Sequence, residues 1–301
     1  MGYGRWSTDQ YTTYSNTTNY RSASVQQVFT NTDSAPNDVV VKNIQLRESR
    51  DSDANPNSTP IILGLDVTGS MGLYASEIAR IHLPDLMTNI IESGVVSDPH
   101  ILVMGIGDPR AGDNYPAQAT QFEPDLKIIE QTRDLFIEGR GGGNDVEGYD
   151  LAWYFAKYCT STDAVQKGRK GVIFTFGDEQ LARNPLTEHQ WKKVFGTKEY
   201  PQFSSMGELY AMVSQDWEIF HVIIEQGNYC RSAGSSVVRR SWTQVLPSSR
   251  VLNCSDSSQL KNICSMALEI LNTPVGQPLP YALYENSELK HAFSGLLEQN
   301  A

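Results

Sequence analysis

The chain has no long apolar segment. Its 301 residues contain no apolar run approaching the roughly 18 residues that a transmembrane helix requires. The N-terminal residues are polar and aromatic, and they lack the apolar centre of a secretory signal peptide. The sequence therefore predicts no membrane association, and the expected location is the cytoplasm.

Basic residues are also in deficit. Lys and Arg number 24 against 35 Asp and Glu, which gives a formal net charge of −11. Proteins that bind nucleic acids normally present a basic face, so this balance argues against a nucleic-acid partner. The four cysteines include no Cys-x-x-Cys pair, and the five histidines lie far from them. Neither a zinc site nor, in the cytoplasm, a disulfide is expected.

Several catalytic signatures are missing as well. The glycine-rich residues 140–145 lack the Lys of a P-loop, and no Gly-x-Ser-x-Gly elbow is present. A haloacid-dehalogenase phosphatase needs a second carboxylate two residues after its strand-end Asp, where this chain has Thr68. His82 and His221 lie in apolar surroundings typical of core positions. We therefore expect a protein that is not an enzyme, with a metal-dependent hydrolase as one alternative.

Short apolar runs alternate with amphipathic segments over most of the chain. The short runs are typical of strands buried on both faces, and the amphipathic segments are typical of helices. Alternating βαβ units predict an α/β protein with a doubly wound, mostly parallel sheet flanked by helices. The predicted strands are 61–66, 101–107, 120–122, 172–176, 219–224 and 251–252. The predicted helices are 77–93, 123–136, 146–159 and 257–271.

The chain divides into four regions. Residues 1–37 form a polar arm with several aromatic rings, which is either disordered or docked on the body or on a second copy. Docking is favoured because aromatic rings offer a large contact area. Residues 38–60 are predicted to hold an edge strand, over 38–45, and a charged connector. The main domain is expected over 61–272 and a C-terminal extension over 273–301.

Oxygen-bearing side chains follow the first buried strand. Asp66, Thr68 and Ser70 occupy alternate positions, and alternate residues of an extended chain point the same way. A second buried strand ends at Asp178, and the carboxyl ends of parallel strands meet at one edge of the sheet. Carboxylate and hydroxyl oxygens suit a hard divalent cation such as Mg²⁺. The alternative is an ordinary β–α turn with a turn Asp and a capping Ser.

The pattern Asp66-x-Thr68-Gly-Ser70-Met resembles the metal-ion-dependent adhesion site of von Willebrand factor A (VWA) domains. A glycine-rich loop at 140–150 and the strand-end Asp178 are similar to the other two parts of that site. Further segments resemble a group of uncharacterised VWA proteins from bacteria and their phages, and the resemblance covers most of the chain, from about Arg5 to Leu271. These segments are Arg47–Ser52, Asn57–Pro60, Leu151–Ala156 and Phe174–Glu179.

The resemblance implies a VWA fold, which is Rossmann-like, and a metal site. The implied ligands from the strand ends are Asp66, Thr68, Ser70 and Asp178. Many VWA domains add a Thr from the glycine-rich loop, whereas the candidates in this chain are Asn144, Asp145 and Glu147. Asn144 is favoured, and either acidic residue would add charge to the site.

Such a site implies a divalent-metal-dependent protein–protein interaction module. The ion would be Mg²⁺, with Mn²⁺ or Ca²⁺ as alternatives, and a vacant coordination position would accept an acidic side chain from a protein partner. A MoxR-type AAA+ ATPase is a candidate partner by analogy with other VWA proteins. A structural subunit that forms homo-oligomers through its N-terminal arm is the other alternative. The resemblance places the protein in the cytoplasm of a bacterial cell or of a phage-infected host.

Overall fold

A six-stranded, mostly parallel sheet forms the centre of the molecule. The computed structural model describes residues 4–29, 34–69, 71, 73–137, 145–274 and 276–299. The strands are β1 Arg47–Ser49, β2 Thr59–Asp66, β3 Pro99–Ile106, β4 Ala117–Ala119, β5 Val146–Glu147, β6 Thr160–Thr162, β7 Gly171–Gly177, β8 Gln180–Leu181, β9 Trp217–Ile224 and β10 Val251–Cys254. The predicted α/β class with a mostly parallel sheet is confirmed.

The strand order of the large sheet is β10–β9–β7–β2–β3–β4. All neighbours are parallel except β4, which runs antiparallel to β3 at one edge. The chain winds outward from β2 in one direction through β3, and then in the other through β7, β9 and β10. The winding direction therefore switches between β2 and β7, and crevices outside the carboxyl ends of strands form at such a switch point.

Each face of the sheet is covered by its own apolar core. Along β2, Ile61, Leu63 and Leu65 pack into one core, and Ile62 packs into the other. Alternate residues of a strand point to opposite faces, so a strand covered on both sides must be apolar throughout. This requirement explains why the strands read as continuous apolar runs in the sequence.

Helices cover both faces. The α-helices are α1 Thr8–Thr18, α2 Val25–Val28, α3 Leu73–Glu77, α4 Leu83–Ser93, α5 Lys127–Thr132, α6 Asp150–Tyr158, α7 Asp163–Gln166, α8 Glu188–Phe195, α9 Met206–Val213, α10 Asn228–Ala233, α11 Ser235–Trp242, α12 Leu260–Asn272, α13 Ala282–Glu285, α14 Ser287–Ala292 and α15 Ser294–Gln299. Short 3₁₀ turns occur at Val41–Asn43, Ser248–Arg250 and Ser257–Gln259. No helix of the described residues is both long enough and apolar enough to span a bilayer.

The helix predicted over 77–93 begins earlier and contains a wider turn. A π-helical segment, Ile78–His82, joins α3 to α4. Pro84, at the start of α4, has no N–H to donate and its ring needs space beside the preceding turn. A π-helical turn supplies such space without ending the helix. Gly94, in the left-handed conformation with a φ of 63°, ends α4.

Some predicted elements differ from those observed. Residues 38–45, all of them described, form one antiparallel bridge at Val40 and a 3₁₀ turn instead of the predicted edge strand. The short strand predicted at 120–122 lies at β4 instead, and α5 is shorter than the predicted helix 123–136. The predicted helix 146–159 begins only at Asp150, because Val146 and Glu147 pair with β8.

The N-terminal arm lies against the body. Tyr11, Tyr20 and Phe29 are buried in the core that also contains apolar residues of α4 and α12. Arg21 pairs with Asp85 of α4. Because these rings fill the chain's own core, they are not available as the contact surface of a second copy.

Candidate functional site at the carboxyl end of the sheet

Two buried aspartates mark the carboxyl ends of adjacent strands. Asp66 is the last residue of β2, and Asp178 directly follows β7. The two strands pair in register up to Leu65 and Phe176. Both side chains are fully buried, and their charges interact. The structure therefore brings Asp66 and Asp178 together at the switch point of the sheet.

Both carboxylate oxygens of Asp66 accept hydrogen bonds from neutral groups. Oδ1 accepts from the backbone N–H of Thr68 at 2.9 Å and from its hydroxyl at 2.6 Å. Oδ2 accepts from the Tyr149 hydroxyl at 2.9 Å. The bonds from Thr68 close a tight turn after β2, a local arrangement for which Asp is favoured.

Tyr149 is the centre of this cluster. Its hydroxyl donates to Asp66 and accepts from the N–H of Glu179 at 3.3 Å. Its ring lies over Gly177, where an added Cβ would come within 2.0 Å of the Tyr149 hydroxyl oxygen. A side chain at position 177 would displace the ring, so glycine is required there.

An aromatic stack fixes Tyr149 from behind. The rings of His221 and Trp242 are stacked with centroids 3.6 Å apart, and the Tyr149 ring lies 4.8 Å from His221. The indole N–H of Trp242 donates to the carbonyl oxygen of Glu179 at 3.2 Å. His221 shares a 2.9 Å hydrogen bond with Thr175, and burial holds its pKa well below the usual value. His221 is thus a neutral core residue.

Asp178 is held by the loop after β9. Its Oδ2 accepts from the N–H of Tyr229 at 2.7 Å. At Gly227 an added Cβ would lie 2.3 Å from the Asp178 side chain, so only glycine allows this close approach. The first turn of α10 therefore lies directly against the carboxylate.

Further acidic groups surround the pair. Glu147 is buried, and its Oε1 accepts from the N–H of Gly148 at 2.9 Å. Burial, reinforced by the charge of Asp66, raises the pKa of Glu147 well above its usual range. Burial also raises the pKa of Asp66 to about 7, with the charge of Asp178 adding to the rise and the bonds from Thr68 and Tyr149 opposing it. The site is therefore a buried cluster of mutually repelling carboxyl groups.

Arg110 neutralises a different pair of carboxylates beside this cluster. Its guanidinium contacts Asp150 at 2.8 and 3.2 Å and Asp108 at 3.3 Å, and it donates to the carbonyl oxygen of Asn184 at 3.0 Å. Burial lowers the pKa of Arg110, but the two aspartates outweigh it and leave that pKa raised. Arg110 thus ties the loop after β3 to the start of α6.

The predicted site residues are only partly described. Ser70 and Asn144 lie outside the described residues. Of the two other loop candidates, Asp145 pairs with Arg183 at 2.6 Å and accepts from Gln180 at 3.0 Å, whereas Glu147 interacts with Asp66. Sequence reasoning missed Tyr149 and Arg110, because nothing in the local sequence distinguishes them from structural residues.

The arrangement is not a ready-made metal centre. Within the described part of the chain, no group of three or more His, Cys, Asp or Glu side chains is placed to hold a metal ion. The expectation of a preformed magnesium-binding site is therefore wrong for the described residues. The physical reason is that the Thr68 hydroxyl and the Tyr149 hydroxyl already occupy the oxygens of Asp66.

Comparisons with known proteins show only distant structural similarity. No protein-family model matches the chain, and no curated protein matches it. The pilus adhesin SpaC from Lactobacillus rhamnosus GG is 10% identical over 75% of this chain and 32% of its own, with a TM-score of 0.48. The proximal thread matrix protein 1 from the mussel byssus is 11% identical over 71% and 48%, with a TM-score of 0.42. The adhesive tip pilin GBS104 from Group B Streptococcus agalactiae is 9% identical over 68% and 97%, with a TM-score of 0.35.

These comparisons correct the family assignment. The chain spans about a third of the SpaC chain, and TM-scores below 0.5 support no inference about function. No family model matches the chain, and no group of the described residues is placed to hold a metal ion, so the classification as a VWA protein with a metal-ion-dependent adhesion site is wrong. The motif that suggested it also suits a hydrogen-bonded turn, which Asp66 and Thr68 form.

Proposed function

We propose that this chain is a non-enzymatic protein-association module that binds its partner at the carboxyl end of the sheet, through a divalent cation. The observation that carries the proposal is the buried pair Asp66 and Asp178 at the switch point, with Glu147 beside it. Arg110 pairs with Asp108 and Asp150 instead. Several buried carboxyl groups that repel one another favour the approach of a cation.

The donor chemistry fits a hard cation. Carboxylate and hydroxyl oxygens are preferred by Mg²⁺, which tolerates few protein ligands because it retains waters. Asp66, Thr68 and Asp178 would hold the ion, with Ser70 and Asn144 as further candidates from the sequence. When bound, the ion would supply a positive charge that accepts a carboxylate from a partner. Mn²⁺ and Ca²⁺ take the same class of ligands.

The partner completes the site in this proposal. Two carboxylates from the chain and one acidic side chain from the partner would surround the ion. The hydroxyl protons of Thr68 and Tyr149 already bind the oxygens of Asp66, so a cation that approaches this carboxylate competes with them. Binding of the cation alone is therefore expected to be weak, and binding of the cation with an acidic partner is expected to be cooperative.

The hydrolase alternative receives less support. His221, which the sequence predicts to be a core residue, is stacked on Trp242 and bonded to Thr175 in the core. The homo-oligomer alternative depends on an arm in which Tyr11 and Tyr20 are buried within the same chain. The MoxR-type ATPase partner and the cytoplasmic location remain predictions.

Peptide selection would test the proposal. A random peptide library displayed on phage is panned against the full chain in Mg²⁺ and, separately, in EDTA. Peptides with Asp or Glu should be enriched only in Mg²⁺, and the enrichment should disappear in Asp66→Asn and Asp178→Asn. Asp145→Asn is the matched control, because that carboxylate faces Arg183. Equal enrichment in EDTA, or in both site variants, would overturn the role of the cation.

A further inference from the structure

A cavity lies at the end of the sheet opposite Asp66 and Asp178. It has a volume of about 390 Å³, and it lies between the amino ends of β2, β7 and β9, the loop after α4 and the last turns of α12. Strand β2 has eight residues, so about 23 Å separates this end from Asp66 at ~3.3 Å per residue. The volume is within the range of small-molecule sites, roughly 300–1,000 Å³.

One side of the cavity is apolar. It is formed by Val95 and Val96 from the loop after α4 and by Leu268 and Leu271 from α12. Asn272 holds these two elements together, because its amide donates to the carbonyl oxygens of Val95 and Leu268. The apolar wall is thus part of the fixed frame of the protein.

The other side is basic. Arg169 and Lys170 precede β7 and line the cavity, together with Glu218 of β9. Glu218 binds Lys170 at 3.0 Å and Arg250 at 2.6 Å, so this carboxylate is already shared between two cations. The charged lining carries two positive groups and one negative group, a surplus of one positive charge, on a chain whose net charge is −11.

Arg169 has binding capacity that the fold does not use. Its Nη1 donates one hydrogen bond, 3.3 Å long, to the carbonyl oxygen of Asn57. Among the described residues it forms no ion pair, and its enclosed Nη2 has no hydrogen-bond partner. A guanidinium carries five N–H donors in a planar fork that matches a carboxylate or a phosphate. An enclosed Nη2 group without a hydrogen-bond partner is unfavourable unless a ligand supplies an acceptor.

We infer that this cavity binds a small organic anion with an apolar body. The anionic head, a carboxylate or a phosphate, pairs with Arg169 and Lys170. The apolar body packs against Val95, Val96 and Leu271. The site is independent of the proposed cation site, because it lies at the other end of the sheet.

Titration with matched six-carbon probes would test the inference. Hexanoate and hexyl phosphate are compared with 1-hexanol and hexylammonium on the full chain, by calorimetry and saturation-transfer NMR. At least one anionic probe should bind, and at least tenfold more tightly than the alcohol or the ammonium. Preference for hexanoate would identify a carboxylate ligand, and preference for hexyl phosphate a phosphate ligand. Equal binding of hexanol, or no binding of either anion, would overturn the inference.

Variants locate the bound anion. Arg169→Gln should weaken the better anionic probe at least tenfold, and Arg169→Lys should weaken it less. Arg231→Gln is the matched control, since Arg231 is exposed on α10 at the other end of the sheet. Asp66→Asn should leave the affinity unchanged, which separates this site from the proposed function. Unchanged affinity in folded Arg169→Gln would overturn the assignment, and if that variant does not fold, the probe series on the wild type still decides.

Discussion

Replacing Asp66 by Asn should stabilise the protein at neutral and alkaline pH. Burial and the charge of Asp178 raise the pKa of Asp66 to about 7, against 3.8 in an unfolded chain. Between these two values the folded chain binds the proton and the unfolded chain does not. The folded state therefore loses stability as pH rises from about 4 to 7, and the full loss is present above 7.

The size of the effect follows from the shift. At ~1.4 kcal/mol per pKa unit, the difference between 7 and 3.8 corresponds to about 4 kcal/mol. Asn keeps one carbonyl oxygen for the two bonds from Thr68 but offers an amide where Oδ2 accepts from Tyr149. One weakened hydrogen bond costs about 1 kcal/mol. A net gain of roughly 2–3 kcal/mol is expected for Asp66→Asn at pH 8 and no gain near pH 4.

Urea unfolding at several pH values, followed by tryptophan fluorescence, measures this difference. Asp163→Asn is a control in which the expected change in stability has the opposite sign. Burial raises the pKa of Asp163, but the hydrogen bond from Arg50 and a backbone hydrogen bond outweigh burial, so the pKa is lowered. That variant should lose stability above pH 4. If wild-type stability instead increases from pH 5 to 8, and Asp66→Asn is the less stable protein throughout, Asp66 is ionised without penalty and the reasoning fails.

Binding of a cation at Asp66 would also change the free energy of unfolding. At pH 8, Mg²⁺ at about ten times its dissociation constant should stabilise the wild type by about 1.4 kcal/mol relative to EDTA. Asp66→Asn should show no such stabilisation. Equal effects of Mg²⁺ on both proteins would place the ion elsewhere and contradict the proposed site.

Three other perturbations have defined outcomes. Arg110→Gln leaves two buried aspartates without their guanidinium and should cost about 3–5 kcal/mol in urea unfolding, whereas Arg183→Gln, in an exposed pair, should cost less than about 1 kcal/mol. Gly177→Ala places a Cβ within 2.0 Å of the Tyr149 hydroxyl, so its melting temperature should fall, and an unchanged value would show that the ring can move freely. Deletion of residues 1–37 should uncover the core beneath the arm and increase binding of an apolar dye, while unchanged dye binding would mean that the arm covers little.

The central strands could be predicted because each is a continuous apolar run. β2, β7 and β9 are covered on both faces, so their sequences allow few other interpretations. The helices after β7 were harder to predict. α8 and α9 contain eight residues each, about two turns, so few apolar positions repeat within either helix. Elements with weak periodicity depend on tertiary contacts that a local pattern does not contain.

Only the site residues at the ends of strands could be predicted from the sequence. Asp66 and Asp178 follow apolar runs, and parallel strands bring their carboxyl ends together. The position of Glu147 depends on the pairing of β5 with β8, two residues each, which no sequence pattern indicates. The role of Tyr149 depends on Gly177, whose missing side chain makes room for the ring. The contacts that define the cluster are therefore non-local.

The rigidity of the cluster decides how it can respond to a ligand. Tyr149 is fixed by the stacked rings of His221 and Trp242, and Gly227 brings α10 against Asp178. Such a frame prevents the two carboxylates from moving apart to relieve their repulsion. The repulsion between Asp66 and Asp178 is therefore relieved by binding a proton or a cation. The proton and the cation compete for Asp66. It follows that affinity for a cation should increase as pH rises through about 7, where the proton leaves.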